Sequence, residues 1–165
     1  MAPSSAPDLE AFAAHDHGRC RSRALASAVE SCRARGLRLT PARAFALETL
    51  LESHRAMTAY ELLDRLRAAG LGAQPPIAYR ALDFLVEQGF AHRIERLGAY
   101  VACTGSADGH PAAFLVCRAC RRVAETALSG PAPEIEAGAT AAAFAIERVT
   151  VEAEGLCARC RDAGA

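Results

Sequence analysis

Two Cys-x-x-Cys pairs carry the most specific chemistry in the chain: Cys117 and Cys120 in "CRAC", then Cys157 and Cys160 in "CARC". A turn of that kind points two thiolates at one ion, and two such turns complete the tetrahedral ligand set of a structural zinc. With every position filled by protein, no place is left for a substrate. The ion acts as a staple whose binding is coupled to folding. The same spacing also occurs in thiol–disulfide enzymes, where it opens a helix inside a βαβ unit. Here "CRAC" falls between two strand-like runs, which favours zinc.

A second set of ligand types is spread more widely. His92 and Cys103 mark the ends of "HRIERLGAYVAC", His110 follows in "TGSADGHPA", and Glu125 lies in "VAETA". With Leu97 and Gly98 as a two-residue turn, hairpin partners have numbers summing to 195: Arg96 with Ala99, Ile94 with Val101, His92 with Cys103. All six side chains would then share one face, with opposed Cβ atoms about 4.5–5.5 Å apart. Leu97 is a poor residue for the positive φ that such a turn needs. An ion held by His92, Cys103, His110 and Glu125 would have N, S and O ligands, which in a tetrahedron suit zinc. Taken singly, a surface His and an exposed Glu are ordinary. A third group, His15, Asp16, His17 and Cys20 in "HDHGRC", has metal-friendly types at short spacing. It falls in a stretch expected to be a mobile tail, where an adventitious site or none is expected rather than a regulatory one. His54 and Cys32 read as structural or surface residues.

The elements that must position these residues are legible from start and stop signals. Leu25, Ala28, Val29 and Cys32 recur at helical spacing from Arg21 to Arg35, and Gly36 follows. Thr40 suits an N-cap with Pro41 at the first helical position. Thr58 and Glu61 form a capping box for a third helix that Gly70 ends. Pro75 and Pro76 open a fourth, with Ala78, Leu82, Leu85 and Val86 inward, and the hairpin follows at once. Several helices and a β-wing outline a winged helix-turn-helix, whose last helix before the wing enters a DNA major groove. Beyond the turn-rich "TGSADGHPA", a strand ("AFLVCR"), a strand ("VAETA"), a helix ("PEIEAGATAAAF") and a strand ("AIERVTVEAEG") suggest a small α/β unit. The fold class is therefore α+β. A tail spans 1–20, a winged-helix domain 21–104, and a dimerisation and zinc-binding domain 105–165. About 60 residues make a marginal core, which calls for a metal staple or a second copy.

Composition sets further bounds. The 165 residues carry 19 basic and 19 acidic side chains, so any nucleic-acid contact must come from a local basic surface. From Arg19 to Arg43 there are seven arginines (19, 21, 23, 33, 35, 38, 43) and one acid, Glu30. Seven cysteines without a secretory leader pattern point to a reducing, cytoplasmic setting, where clustered thiols hold metal more often than they pair. No run approaches the roughly 18 apolar residues of a membrane span.

"LRLTPAR", "AYELLDRLR", "PPIAYRALDFLVEQGF", "HRIERLGAYVAC" and the paired cysteine motifs together resemble the ferric-uptake-regulator family, most of all its zinc-uptake branch. The resemblance runs from about Arg21 to Cys160. It implies a dimeric, metal-dependent repressor that binds a double-stranded operator, with two zinc sites per subunit. By resemblance, Cys117, Cys120, Cys157 and Cys160 are structural zinc ligands, and His92, Cys103, His110 and Glu125 are the sensing ligands. Tyr79 and Arg80 fall at the start of the recognition helix, and Tyr60 at a second DNA contact. Three departures stand out. Ile77-Ala78 replaces the usual Thr-Val, Arg121 replaces the glycine that usually follows the first knuckle, and the histidine-rich stretch of the iron-sensing branch is missing.

The expected function is a zinc-responsive repressor of zinc-uptake genes. Rivals are a same-family regulator sensing iron, manganese or peroxide, and, from another class, a zinc buffer or thiol redox protein. No Ser-His-Asp set, phosphate loop or paired-carboxylate arrangement is present, so neither an enzyme nor a small-molecule substrate is expected.

Overall fold

Each of the first three helices begins where a side chain satisfies its first free amides. In a computed structural model, which describes residues 11–12, 16–103, 112–127 and 132–164, Asp16 accepts from the Arg19 amide and opens α1 (His17–Ala34). Thr40 accepts from Arg43 before α2 (Pro41–Leu50). Thr58 and Glu61 exchange both bonds of the capping box at α3 (Ala59–Ala68). The double proline opens α4 (Pro75–Glu87). Leu47, Leu50, Leu62, Leu66, Leu82 and Leu85 interlock α2, α3 and α4 into the main core. Gly72 takes φ +135°, a backbone conformation that favours glycine, and a Cβ there would also displace the end of the Ile77 side chain.

The wing is β1 (Ala91–Ile94) paired antiparallel with β2 (Ala99–Ala102). Its register corrects the expected hairpin. Ile94 faces Ala99 and His92 faces Val101, so partner numbers sum to 193 rather than 195. The cause is the turn. Leu97 avoids a positive φ, the chain makes one 3-10 turn over Glu95–Leu97, and Gly98 alone takes the left-handed conformation at φ 54°. Because the slip is two residues, side-chain parity is unchanged. His92, Ile94, Ala99, Val101 and Cys103 stay on one face, with Cys103 diagonal to His92 instead of opposite it. The Cys103 amide donates to the Phe90 carbonyl and extends the ladder to that point.

The distal unit has β3 (Ala112–Cys117), β4 (Val123–Ala127), α5 (Pro133–Ala141), β5 (Thr150–Gly155) and a short α6 (Ala158–Asp162). Strand order is β4-β3-β5, with β3 antiparallel to β4 and parallel to β5 across the α5 connection. The final strand starts at Thr150, later than its apolar run suggests, and α6 is not foreshadowed by any periodic pattern.

The seam between the two units is packed and hydrogen-bonded. Ala56, Ile94, Ala99 and Val101 meet Phe114, Val116 and Val123 in a second apolar cluster. Glu152 accepts from the Glu95 and Arg96 amides at the wing tip, and Arg96 pairs with Glu154 at 3.0 Å. Between α2 and α3 a short extended segment stitches both sides. Met57 exchanges backbone bonds with Tyr100 of the wing, the Ala56 amide donates to Arg121, and the Val123 amide donates to the His54 carbonyl.

Candidate metal centres and DNA-facing helix

The four knuckle cysteines converge. One ligand atom from each of Cys117, Cys120, Cys157 and Cys160 lies within 4.8 Å of every other. Cys120 Sγ and Cys157 Sγ are 3.9 Å apart, close to the roughly 3.5–3.8 Å edge of a tetrahedral zinc–thiolate set. Cys117 ends β3 and is buried, while Cys157 stands at the N-cap of α6 and places Cys160 on its first turn. Burial by itself pushes the Cys117 thiol up. Hydrogen bonds from the Cys157, Cys120 and Ala119 amides outweigh it and bring it down to about 6. The Cys160 thiol is pushed up to about 12, first by its hydrogen bond with Cys157, then by burial and by its other sulfur neighbours. Cys157-Ala-Arg-Cys160 does open a helix, as in redox motifs, but the helix is five residues long and two further sulfurs face it.

Arg121 sits at φ 60°, a left-handed conformation that the residue following this knuckle must take. Its amide donates to the Cys117 carbonyl, and its guanidinium reaches Glu61 Oε1 of α3 at 3.4 Å.

The second centre assembles across the seam. His92 comes from β1, Cys103 from the end of β2, and Glu125 from β4, with ligand atoms all within 4.8 Å of one another. His92 Nε2 is 3.3 Å from Glu125 Oε2, and Cys103 Sγ is 3.8 Å from the same oxygen. Both separations match an edge of a zinc coordination tetrahedron, about 3.3–3.8 Å. Among the described residues His92 Nε2 is buried without a hydrogen-bond partner, since the approach of Glu125 lacks hydrogen-bonding geometry. The Glu125 side chain is only 10 % exposed. A buried carboxylate beside an imidazole lone pair and a thiol is a donor set that a divalent ion fits. His110, the expected fourth ligand, lies outside the described residues, as does His15.

His17 and Cys20, assigned to a tail by their sequence, belong to the first turn of α1, and Cys20 is buried. His54, which carries no sequence signal beyond its type, joins them from the stitching segment. No local pattern links residues so far apart. Cys32 packs in the main core, where burial pushes its thiol up, so it is structural.

On the opposite side, Tyr79 and Arg80 are exposed on the first turns of α4, and Tyr60 is 64 % exposed at the start of α3. Among the described residues Arg80 has no ion-pair partner, whereas Arg43 is held over the Phe84 ring and bonded to the Arg38 carbonyl. Ile77 and Ala78 turn toward the core, so neither offers a polar group at the mouth of this helix. No helix among the described residues is long and apolar enough to cross a membrane.

No protein-family model matches the chain. The zinc uptake regulation protein of Escherichia coli (strain K12) is 41 % identical over 137 residues, 82 % of this chain and 80 % of that protein. A solved zinc uptake regulator complexed with zinc and DNA superposes with a TM-score of 0.79 at 39 % identity, covering 87 % of this chain and 97 % of that one. Holo XcZur superposes at 0.72 with 37 % identity, covering 89 % and 99 %, whereas apo XcZur reaches 0.50 over 87 % and 99 %. Sequence and architecture agree, and the chain belongs to the ferric-uptake-regulator family, in its zinc-uptake-regulator branch.

Proposed function

We propose that this protein is a zinc-responsive, DNA-binding transcriptional regulator that represses zinc-uptake genes. A relative over two-fifths identical is a zinc uptake regulation protein, and a solved regulator of the same fold is complexed with zinc and DNA. The observation that carries the switch is the centre at the seam. Glu125, one-tenth exposed, faces His92 and Cys103 from the other unit. Leaving a carboxylate buried without a compensating cation is costly, so closing the seam favours metal and metal favours the closed seam. Zinc held there by His92, Cys103 and Glu125 would supply the compensating charge. His92 and Cys103 orient the wing, and Glu125 orients β4. The 0.72 likeness to holo XcZur against 0.50 to its apo form fits a family in which the arrangement of the units follows metal.

The four-cysteine centre is read as structural zinc, and Tyr60, Tyr79 and Arg80 as the DNA-facing residues, with Arg80 pairing with purine edges in a major groove. The working form is read as a homodimer in the cytoplasm. Phe144 is 68 % exposed, Ile135 45 % and Leu115 37 %, and no residue of α5 is buried. That leaves the outer side of the distal unit for a second copy to cover. A regulator rather than a catalyst accounts for every site on the molecule.

A titration of operator-fragment binding against buffered free zinc tests the reading. The wild-type chain is expected to bind only as zinc rises. Cys103→Ser should stay folded and lose the zinc dependence, and Arg80→Ala should keep its zinc and lose DNA affinity by roughly tenfold or more. Zinc-dependent binding by Cys103→Ser would overturn the assignment, undiminished binding by Arg80→Ala would remove Arg80 from the DNA contact, and a wild-type chain that binds zinc but no operator would mark a buffer or redox protein.

A further inference from the structure

We propose that His17, Cys20 and His54 form a third zinc site, which locks the first turn of α1 onto the seam between the two units. Two ligands sit three residues apart on one helix, so their side chains share a face. The third arrives from the α2–α3 segment, and all three ligand atoms lie within 4.8 Å of one another. The His17 and His54 rings meet edge to face with centroids 4.9 Å apart, and Cys20 beside them is 5 % exposed. His17 Nε2 is 3.0 Å from the Leu51 carbonyl. A carbonyl can only accept, so this contact places the hydrogen on Nε2 and the lone pair on Nδ1, the arrangement that orients a metal-binding imidazole. Two imidazoles and a thiolate form a borderline-soft set suited to zinc, and three protein ligands leave a fourth position to solvent.

The position of His54 gives the site its consequence. Its carbonyl accepts from Val123 of β4, and three residues later Met57 is bonded to Tyr100 of the wing. His54 also lines a small cleft with Val101, Phe114 and Glu125, so the His92 centre lies at the other side of the same packing. An ion at His17, Cys20 and His54 therefore holds α1 to the segment that joins wing and distal sheet. It adds a metal-dependent lock to the seam without sharing a ligand with the His92 centre.

The test uses the full-length chain carrying Cys103→Ser, which disables the His92 centre whether or not that centre is the sensor. Zinc bound per subunit after equilibration in a zinc buffer should fall by one ion when Cys20→Ser or His54→Ala is added, and likewise for His17→Ala, whose partly exposed ring is not needed for the core. Zinc should slow amide exchange in the first turn of α1 in the parent and not in these variants. Equal zinc content in parent and variants, or unchanged exchange in the parent, would overturn the site. Loss of this ion with operator binding unaltered in the wild-type background would leave the site standing and remove its role as a lock.

Discussion

At the scale of single residues, chemistry was most legible where ligands are close in sequence. Each Cys-x-x-Cys brings its own two sulfurs together through a local turn, so only the joining of the two pairs had to come from the fold. The centre at the seam is partly legible, because His92 and Cys103 flank one hairpin and Glu125 is a ligand type on a nearby strand-like run, and the resemblance groups them as one site. His54 was not, since the contact with His17 depends on how α1 crosses the end of α2. The four-cysteine centre makes a direct prediction. Cys117 is 1 % exposed and accepts from the Cys157 amide at 3.4 Å, so Cys117→Ser should lose one zinc per subunit and lower the melting temperature, with the dimer dissociating on dilution. A variant with unchanged zinc content and an unchanged melting curve would refute a structural role.

At the scale of elements, helix starts followed the caps because capping is a local contest between side chains and free amides. The start of α1 was set too late, at Arg21, since Asp16 and His17 show no apolar period and only the cap betrays them. The wing register slipped by two because the choice between a two-residue turn and a 3-10 turn rests on one positive φ, and Gly98 is the residue that takes it. Parity survived, and with it the shared face of His92 and Cys103. The capping box at α3 also carries a pH dependence. The Thr58 amide, then its hydroxyl and Arg121, hold the Glu61 carboxyl below the usual carboxylate range. A carboxyl with a lowered folded-state pKa stabilises above its unfolded pKa, and that stabilisation is lost as pH falls through the folded value. Acidification from neutral to below the carboxylate range should therefore erode the wild-type melting temperature more than that of Glu61→Gln. Parallel curves across that range would contradict the linkage. Nearly half of the ionised side chain is open to solvent, which screens its charge, so the difference is expected to be small.

At the scale of the whole molecule, the two units predicted to divide near residue 104 prove to share an apolar cluster. Sequence could not reveal this, because Ile94, Val101 and Phe114 each look like ordinary alternating strand residues and nothing local states that the two sheets face one another. The seam thus rests on packing, to which metal at the proposed centre would add. Phe114 is 2 % exposed and its ring is 4.9 Å from His92. Phe114→Ala is expected to cost about 3–5 kcal/mol of stability in denaturant unfolding and to weaken zinc-dependent operator binding. A stability loss with the zinc dependence of DNA binding unchanged would separate the cluster from the switch.

The claim on which the account turns is that metal at His92, Cys103 and Glu125 fixes the winged unit against the distal one. The most direct measurement is the distance between the two α4 helices of the proposed dimer, read by pulsed dipolar spectroscopy from a non-cysteine spin label at exposed Glu87. The account predicts one narrow distribution with zinc and a broad one after chelation, with Glu125→Gln broad in both. The same narrow distribution in all four samples would contradict it.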